Sequence, residues 1–184
     1  MKTVRRVTIL LTVIVLVSVQ SFAQPSVTFG QPILITSAGQ SADVTMAGQL
    51  CKRLKLDYTA DNKATAKNLD GVKTLMIVPG FSSKGLGAAG ISREQEMSRV
   101  KDLITAAKSK KISILVVHLG GKPRRGAQSD DFNMMAAEAA LHMVVVQQGD
   151  DDQFFSNIAK DKKIGINLVD KIAAAMKPLE ILFK

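Results

Sequence analysis

The sequence predicts an α/β protein, a three-layer α/β/α sandwich around a mainly parallel sheet, Rossmann-like or flavodoxin-like. Three observations lead there. Short apolar runs alternate with amphipathic segments from residue 33 to the end of the chain. Several of the runs are apolar throughout, as strands covered on both faces must be. Strand then helix at this rhythm implies parallel pairing through right-handed crossovers, which leaves few other topologies.

At the N-terminus, Lys2, Arg5 and Arg6 precede the uncharged stretch 7–19, and Ser21-Phe22-Ala23 offers small residues where a signal peptidase cuts. Residues 1–23 therefore read as a cleavable secretory signal peptide. A helix of that stretch spans about 20 Å, short of a hydrocarbon core about 30 Å thick. Retention as an uncleaved anchor is the alternative. With no cysteine near the cut there is no lipid attachment point, so no stable membrane anchor is expected after cleavage. The expected location is periplasmic or secreted. Residues 24–31 read as an unstructured lead-in, and 32–184 as one α/β domain, large enough for a single core.

The apolar runs that predict strands are 33–37, 56–59, 74–78, 112–119, 143–147 and 164–168. Between them, Val44, Ala47, Leu50, Cys51 and Leu54 share one helical face. Met97, Val100, Leu103, Ile104 and Ala107 share another, behind a Ser92–Gln95 capping box. Phe132, Met135, Ala136 and Ala139 repeat the pattern, as do Phe154, Phe155, Ile158 and Ala159. The last stripe, Ile172 to Phe183, contains Pro178, which should kink or restart its helix. Residues 62–70 leave room only for a short helix.

The chain carries a net charge of +9, which falls to +6 without residues 1–23. The excess lies in 84–125, with ten basic residues against three acidic. Tryptophan is absent and tyrosine occurs once. A nucleic-acid partner is not expected, since single-stranded binding leans on aromatic faces. Cys51 is the sole cysteine, so no internal disulfide can form. On the apolar face of its helix it should be inert.

Ligands of open α/β sheets bind outside the carboxyl ends of the strands. Three Gly/Ser-rich segments follow those ends here: 37–41, 79–92 and 118–129. Two of them exceed the usual two to six residues, and long ordered loops are often functional. The candidate ligand-binding residues are Ser37, Gly39, Gln40 and Ser41 in the first. Gly80, Ser82, Ser83 and Lys84 are those of the second. The third contributes His118, Gly120, Gly121, Arg124 and Arg125, with Lys122 among them. Backbone N–H groups, hydroxyls and basic side chains converging on one edge suit a small anion or carboxylate. The plainer reading is that the glycines and serines make turns and the basic residues are solvated.

Several signatures fail. Gly85-Leu-Gly87-Ala-Ala-Gly90 has the letters of a dinucleotide fingerprint, but six residues separate it from the strand and the expected helix opens only at Ser92. Gly80 to Gly85 lacks the Lys-Ser/Thr of a P-loop, and no G-x-S-x-G elbow occurs. No cofactor is expected. No metal site is expected either, since His118 and His142 are the only histidines and their spacing fits no known ligand pattern. His142 reads as structural. His118 ends the fourth strand, where it is either an acid/base or a ring fixing the loop. Asp150, Asp151 and Asp152, like Asp130 and Asp131, suit helix N-termini.

Residues 33–41 (ILITSAGQS), residues 83–92 (SKGLGAAGIS) and His118-Leu-Gly-Gly with Arg124-Arg-Gly resemble an uncharacterised family of exported bacterial α/β proteins, a domain of unknown function. The resemblance implies export and one compact domain, and no catalytic residue. Three functions remain open. The first is a binding or accessory domain for a small polar anion. The second is an envelope protein-interaction domain, and the third a hydrolase or transferase using His118.

Overall fold

A computed structural model describes residues 27–184. The expected signal peptide, its cleavage site and residues 24–26 of the lead-in lie outside the described residues. The elements, in chain order, are β1 (Ile33–Ala38), α1 (Asp43–Arg53), β2 (Tyr58–Ala60), β3 (Thr74–Pro79) and α2 (Ser83–Ala89). Then come α3 (Arg93–Ser109), β4 (Ser113–His118), α4 (Ala127–Ala139) and β5 (His142–Val146). The chain ends with α5 (Phe154–Lys162), β6 (Gly165–Val169) and α6 (Met176–Leu182).

The six strands form one sheet in the order β2-β1-β3-β4-β5-β6, every pair parallel. The chain steps outward from β1 to β2, then returns to the other side of β1 for β3. That reversal makes the crevice between the carboxyl ends of β1 and β3 the topological switch point, as in the flavodoxin-type order.

Alternate residues of each strand point to opposite faces. Leu34, Leu75, Ile77, Ile114, Val116 and Met143 pack under α3, α4 and α5. Ile33, Ile35, Met76, Val78, Leu115 and Val117 pack under α1 and α6. Both faces of the central strands are therefore dry, which is why their sequences run apolar without alternation. Burying a side chain such as Leu75 or Leu115 stabilises the fold by about 1.5–3 kcal/mol. The described residues thus carry two core clusters, one on each face of the sheet.

The six predicted strands and the five long predicted helices are all present, with the Ser92–Gln95 capping box at the start of α3. The last helix restarts at Met176, after a 3-10 turn Ile172–Ala175, with Pro178 in its first turn. The weak segment 62–70 holds only the 3-10 turn Ala66–Leu69. Two expectations need correction. Residues 79–92 are not one long loop, because α2 occupies Ser83–Ala89. Ser82 caps it by accepting the Gly85 N–H at 3.0 Å, and Gly90 closes it at φ 68°. Residues 118–129 are likewise shorter as a loop, since a 3-10 turn Lys122–Arg124 intervenes and α4 begins at Ala127. Residues 27–31 of the lead-in hold no helix or strand, yet Phe29 is docked: it is buried against Phe183, and its N–H donates to the Leu182 carbonyl at 2.7 Å.

Three helix-to-strand turns share an unusual choice. After α1, α3 and α5 the chain turns through Lys55, Lys111 and Lys163, at φ 56°, 56° and 57°. This left-handed conformation costs a residue with a Cβ about 1 kcal/mol, and glycine is the usual occupant.

Candidate functional site

At the carboxyl edge, the 37–41 segment folds inward rather than standing open. Ser37, Gln40 and Ser41 are buried. Ser37 Oγ accepts the Ser41 N–H at 2.9 Å, and Ser41 Oγ accepts the Asp43 N–H at 3.2 Å. Gly39 donates its N–H to Glu96 Oε1 at 2.9 Å. Gln40, at φ 61°, donates from Nε2 to Glu96 Oε2 at 3.0 Å and to the Asn62 carbonyl at 2.8 Å.

Glu96 anchors this loop, and the sequence reading missed it. It is 0% exposed and ion-paired with Arg99, 2.7 Å away on the next turn of α3. Arg99 also donates to the Ser37 carbonyl at 2.6 Å and to the Ala64 carbonyl at 2.7 Å. One buried pair thus ties the end of β1 to the segment after β2. The signal was present: Glu96 lies four residues before Val100 on the buried stripe of α3. A carboxylate in such a stripe must be paired and hydrogen-bonded to be tolerated.

The second segment meets the first at the switch point. Gly80 donates its N–H to the Ala38 carbonyl and Ser82 to that of Gly39, both at 2.8 Å. α2 then packs over the loop at Gly85, where an added Cβ would lie 2.0 Å from the Gln40 carbonyl oxygen. Only glycine fits there. Beside this contact lies a cleft of about 480 Å³, lined by Gln40, Asn62, Lys63, Ser82, Lys84 and the alanines of α2. Gln40, Ser82 and Lys84 were expected at a site; Asn62 and Lys63, from the loop after β2, were not. Neither Lys63 nor Lys84 has an ion-pair partner among the described residues.

The third segment spends its charge on structure. Arg124 donates to the Phe81 carbonyl at 2.9 Å and pairs with Asp43 at 3.3 Å. Arg125 pairs with Asp130 and Asp152, each at 2.8 Å, and lies 4.3 Å over the Phe154 ring. Hydrogen bonds from Arg125 hold the Asp152 carboxyl down at about 2, and the same contacts raise the guanidinium pKa. The expected convergence of free basic groups is therefore partial. A second hollow of about 270 Å³, lined by Lys122, Arg125, Asp130 and Asp152 among others, is of mixed charge. Ser37, Gly39, Ser41, Gly80 and Ser83 line neither cavity. Nor do His118, Gly120, Gly121 or Arg124.

His118 is fully enclosed. Its Nε2 faces the Gly121 carbonyl at 3.3 Å, Phe155 lies 4.8 Å from its ring, and Nδ1 has no partner within hydrogen-bond geometry among the described residues. Burial is the main cause that drives its pKa down to about 4, against the pull of the Gly121 carbonyl, so the ring is neutral at pH 7. Gly149 packs so closely that an added Cβ would sit 2.6 Å from Nε2. This geometry matches a ring that fixes its loop. His142 opens β5 and bonds across to Asn167 Oδ1 at 2.7 Å. Cys51 is buried, and its thiol is pushed up to about 12 by that burial. Asp150 caps α5, accepting the N–H groups of Phe155 and Ser156 and the Ser156 hydroxyl.

A family model described as a domain of unknown function (DUF6305) matches residues 30–183. The match covers nearly all of the described chain, and the protein belongs to this family. No curated protein matches the chain.

Proposed function

We propose that this family member is an exported, periplasmic or secreted, domain that binds a small polar anion in the cleft at the β1/β3 switch point. The observation that carries the reading is the pair Lys63 and Lys84 flanking that cleft, both without a carboxylate partner among the described residues. Every arginine of the same edge is already paired. The cleft volume of about 480 Å³ suits a small molecule, since such sites run from about 300 to 1,000 Å³. Its polar lining, Gln40, Asn62 and Ser82, offers donors and acceptors around the two charges. Gln40 is itself pinned by Glu96, which pre-organises the floor of the cleft and lowers the cost of ordering on binding. Export rests on the sequence of residues 1–23. The geometry around His118 offers the hydrolase or transferase reading no support, because among the described residues no serine or carboxylate bonds to the ring.

The test is a thermal-shift panel of residues 24–184 with inorganic phosphate, small carboxylates, sugar phosphates and amino acids. A ligand at a hundred times its Kd adds about 2.7 kcal/mol, or about 5–10 °C for a domain of this size. The expected outcome is a hit that Lys84→Ala and Lys63→Ala weaken while the ligand-free melting temperature holds. A hit indifferent to both substitutions would contradict the reading.

A further inference from the structure

The opposite edge of the sheet holds the larger share of the unspent charge. The turns entering β2, β3, β4 and β6 present Lys55, Lys73, Lys110, Lys111 and Lys163, all exposed, against Asp57 and Asp70. Of these only Lys110 is ion-paired among the described residues, to Asp70 at 2.7 Å. The turns stand side by side: Ile33 donates to the Asp57 carbonyl, Ser113 to that of Lys73 and Leu141 to that of Ile114. Strands about 4.8 Å apart make this a row about 24 Å long across six strands. The last turns of α1 and α5 add Lys52, Arg53, Lys160 and Lys162 on the same side, with Glu138 and Asp161 opposing them.

Lysines in the last turn of a helix have an ordinary explanation, the negative end of the helix dipole. The turn lysines stand at the same dipole end, but a lysine one turn earlier would serve it without strain. Lys55, Lys111 and Lys163 each hold a left-handed conformation that glycine adopts without strain. Three separate turns keep a charge where the backbone favours none.

We propose that this strand-N-terminal edge is a docking face for the anionic headgroups of a lipid bilayer. Two features favour lipid over other polyanions. Nearly all of the charge is lysine, a flexible point charge without the planar fork that reads bases or grips a phosphodiester bidentately. Leu141, 46% exposed, stands on the same edge between the β4 and β6 turns, an apolar side chain that a headgroup layer accepts better than water does. The switch-point cleft faces away, toward solvent.

The experiment is co-sedimentation of residues 24–184 with vesicles of phosphatidylcholine alone, and of phosphatidylcholine with one-third phosphatidylglycerol. Binding is expected on the anionic vesicles only, falling as salt rises and the Debye length shrinks. The triple variant Lys55→Gly, Lys111→Gly, Lys163→Gly should lose partitioning by about 100-fold at low salt. Its melting temperature should hold or rise, because the strain at each turn is relieved. Lys84→Ala, on the far edge, should bind vesicles like the parent. Equal binding to neutral vesicles, no binding to anionic ones, or an unaffected triple variant would overturn the proposal. So would binding to duplex DNA that the triple variant loses while vesicles are ignored.

Discussion

Glu96 and Arg99 are where single side chains bear most on the fold. Together they satisfy the Gly39 N–H, the Gln40 amide and the carbonyls of Ser37 and Ala64. Glu96→Ala leaves a guanidinium only 11% exposed without its counter-charge. Loss of a buried partner costs about 3–5 kcal/mol, and the urea midpoint should fall accordingly. His118 gives a pH dependence of definite sign. Its pKa is about 4 in the folded state against the ordinary 6.5, so the unfolded chain binds the proton first. Stability is then complete above pH 6.5 and is lost as pH falls toward 4. Between pH 7 and pH 5 the loss attributable to this ring should be about 2 kcal/mol, read from urea midpoints. His118→Gln should flatten that slope. An unchanged slope would show that the ring titrates normally.

Among the elements, α2 is the one that positions the site and the one hardest to foresee. It is seven residues long, contains Gly85 and Gly87, and buries only Leu86. Two glycines cost a helix about 1 kcal/mol each, and one buried residue makes no periodic stripe. Its boundaries were nonetheless written in the chain, as the Ser82 cap and the left-handed Gly90 followed by Ile91, whose N–H returns to the Leu86 carbonyl. The long helices and the six strands were legible because two dry sheet faces impose their periods on the sequence. The site was legible only by place: the switch point follows from topology, but not which side chains reach it. Arg124 and Arg125 looked free because Asp43, Asp130 and Asp152 are distant or ambiguous in sequence. Lys63 was overlooked because it follows a three-residue strand. Two variants separate the roles of α2. Ser82→Ala should cost about 1 kcal/mol through the lost cap and weaken the ligand response only by the one hydroxyl it removes from the lining. Gly85→Ala must push the Gln40 carbonyl aside, so ligand response in the thermal-shift panel should be lost even where the domain stays folded.

At the scale of the whole molecule, charge is divided between two edges. The carboxyl edge holds arginines locked in ion pairs and two free lysines at a cleft. The amino edge holds an exposed lysine row in which, among the described residues, only Lys110 is ion-paired. The basic excess read from 84–125 is thus split by the fold, since Lys108, Lys110 and Lys111 end at the edge opposite Lys84 and Lys122. A domain docked on anionic lipid through one edge would keep the other open to small solutes, so the two proposals are compatible and separately testable. The central claim is the anion site, and the most direct test is an amide NMR titration of isotope-labelled residues 24–184 with inorganic phosphate and with citrate. Shifts concentrated at Gln40, Asn62, Lys63 and Ser82 to Ala89 are the predicted result. Shifts centred instead on Lys122 to Gly126, or no shifts with either anion, would contradict it.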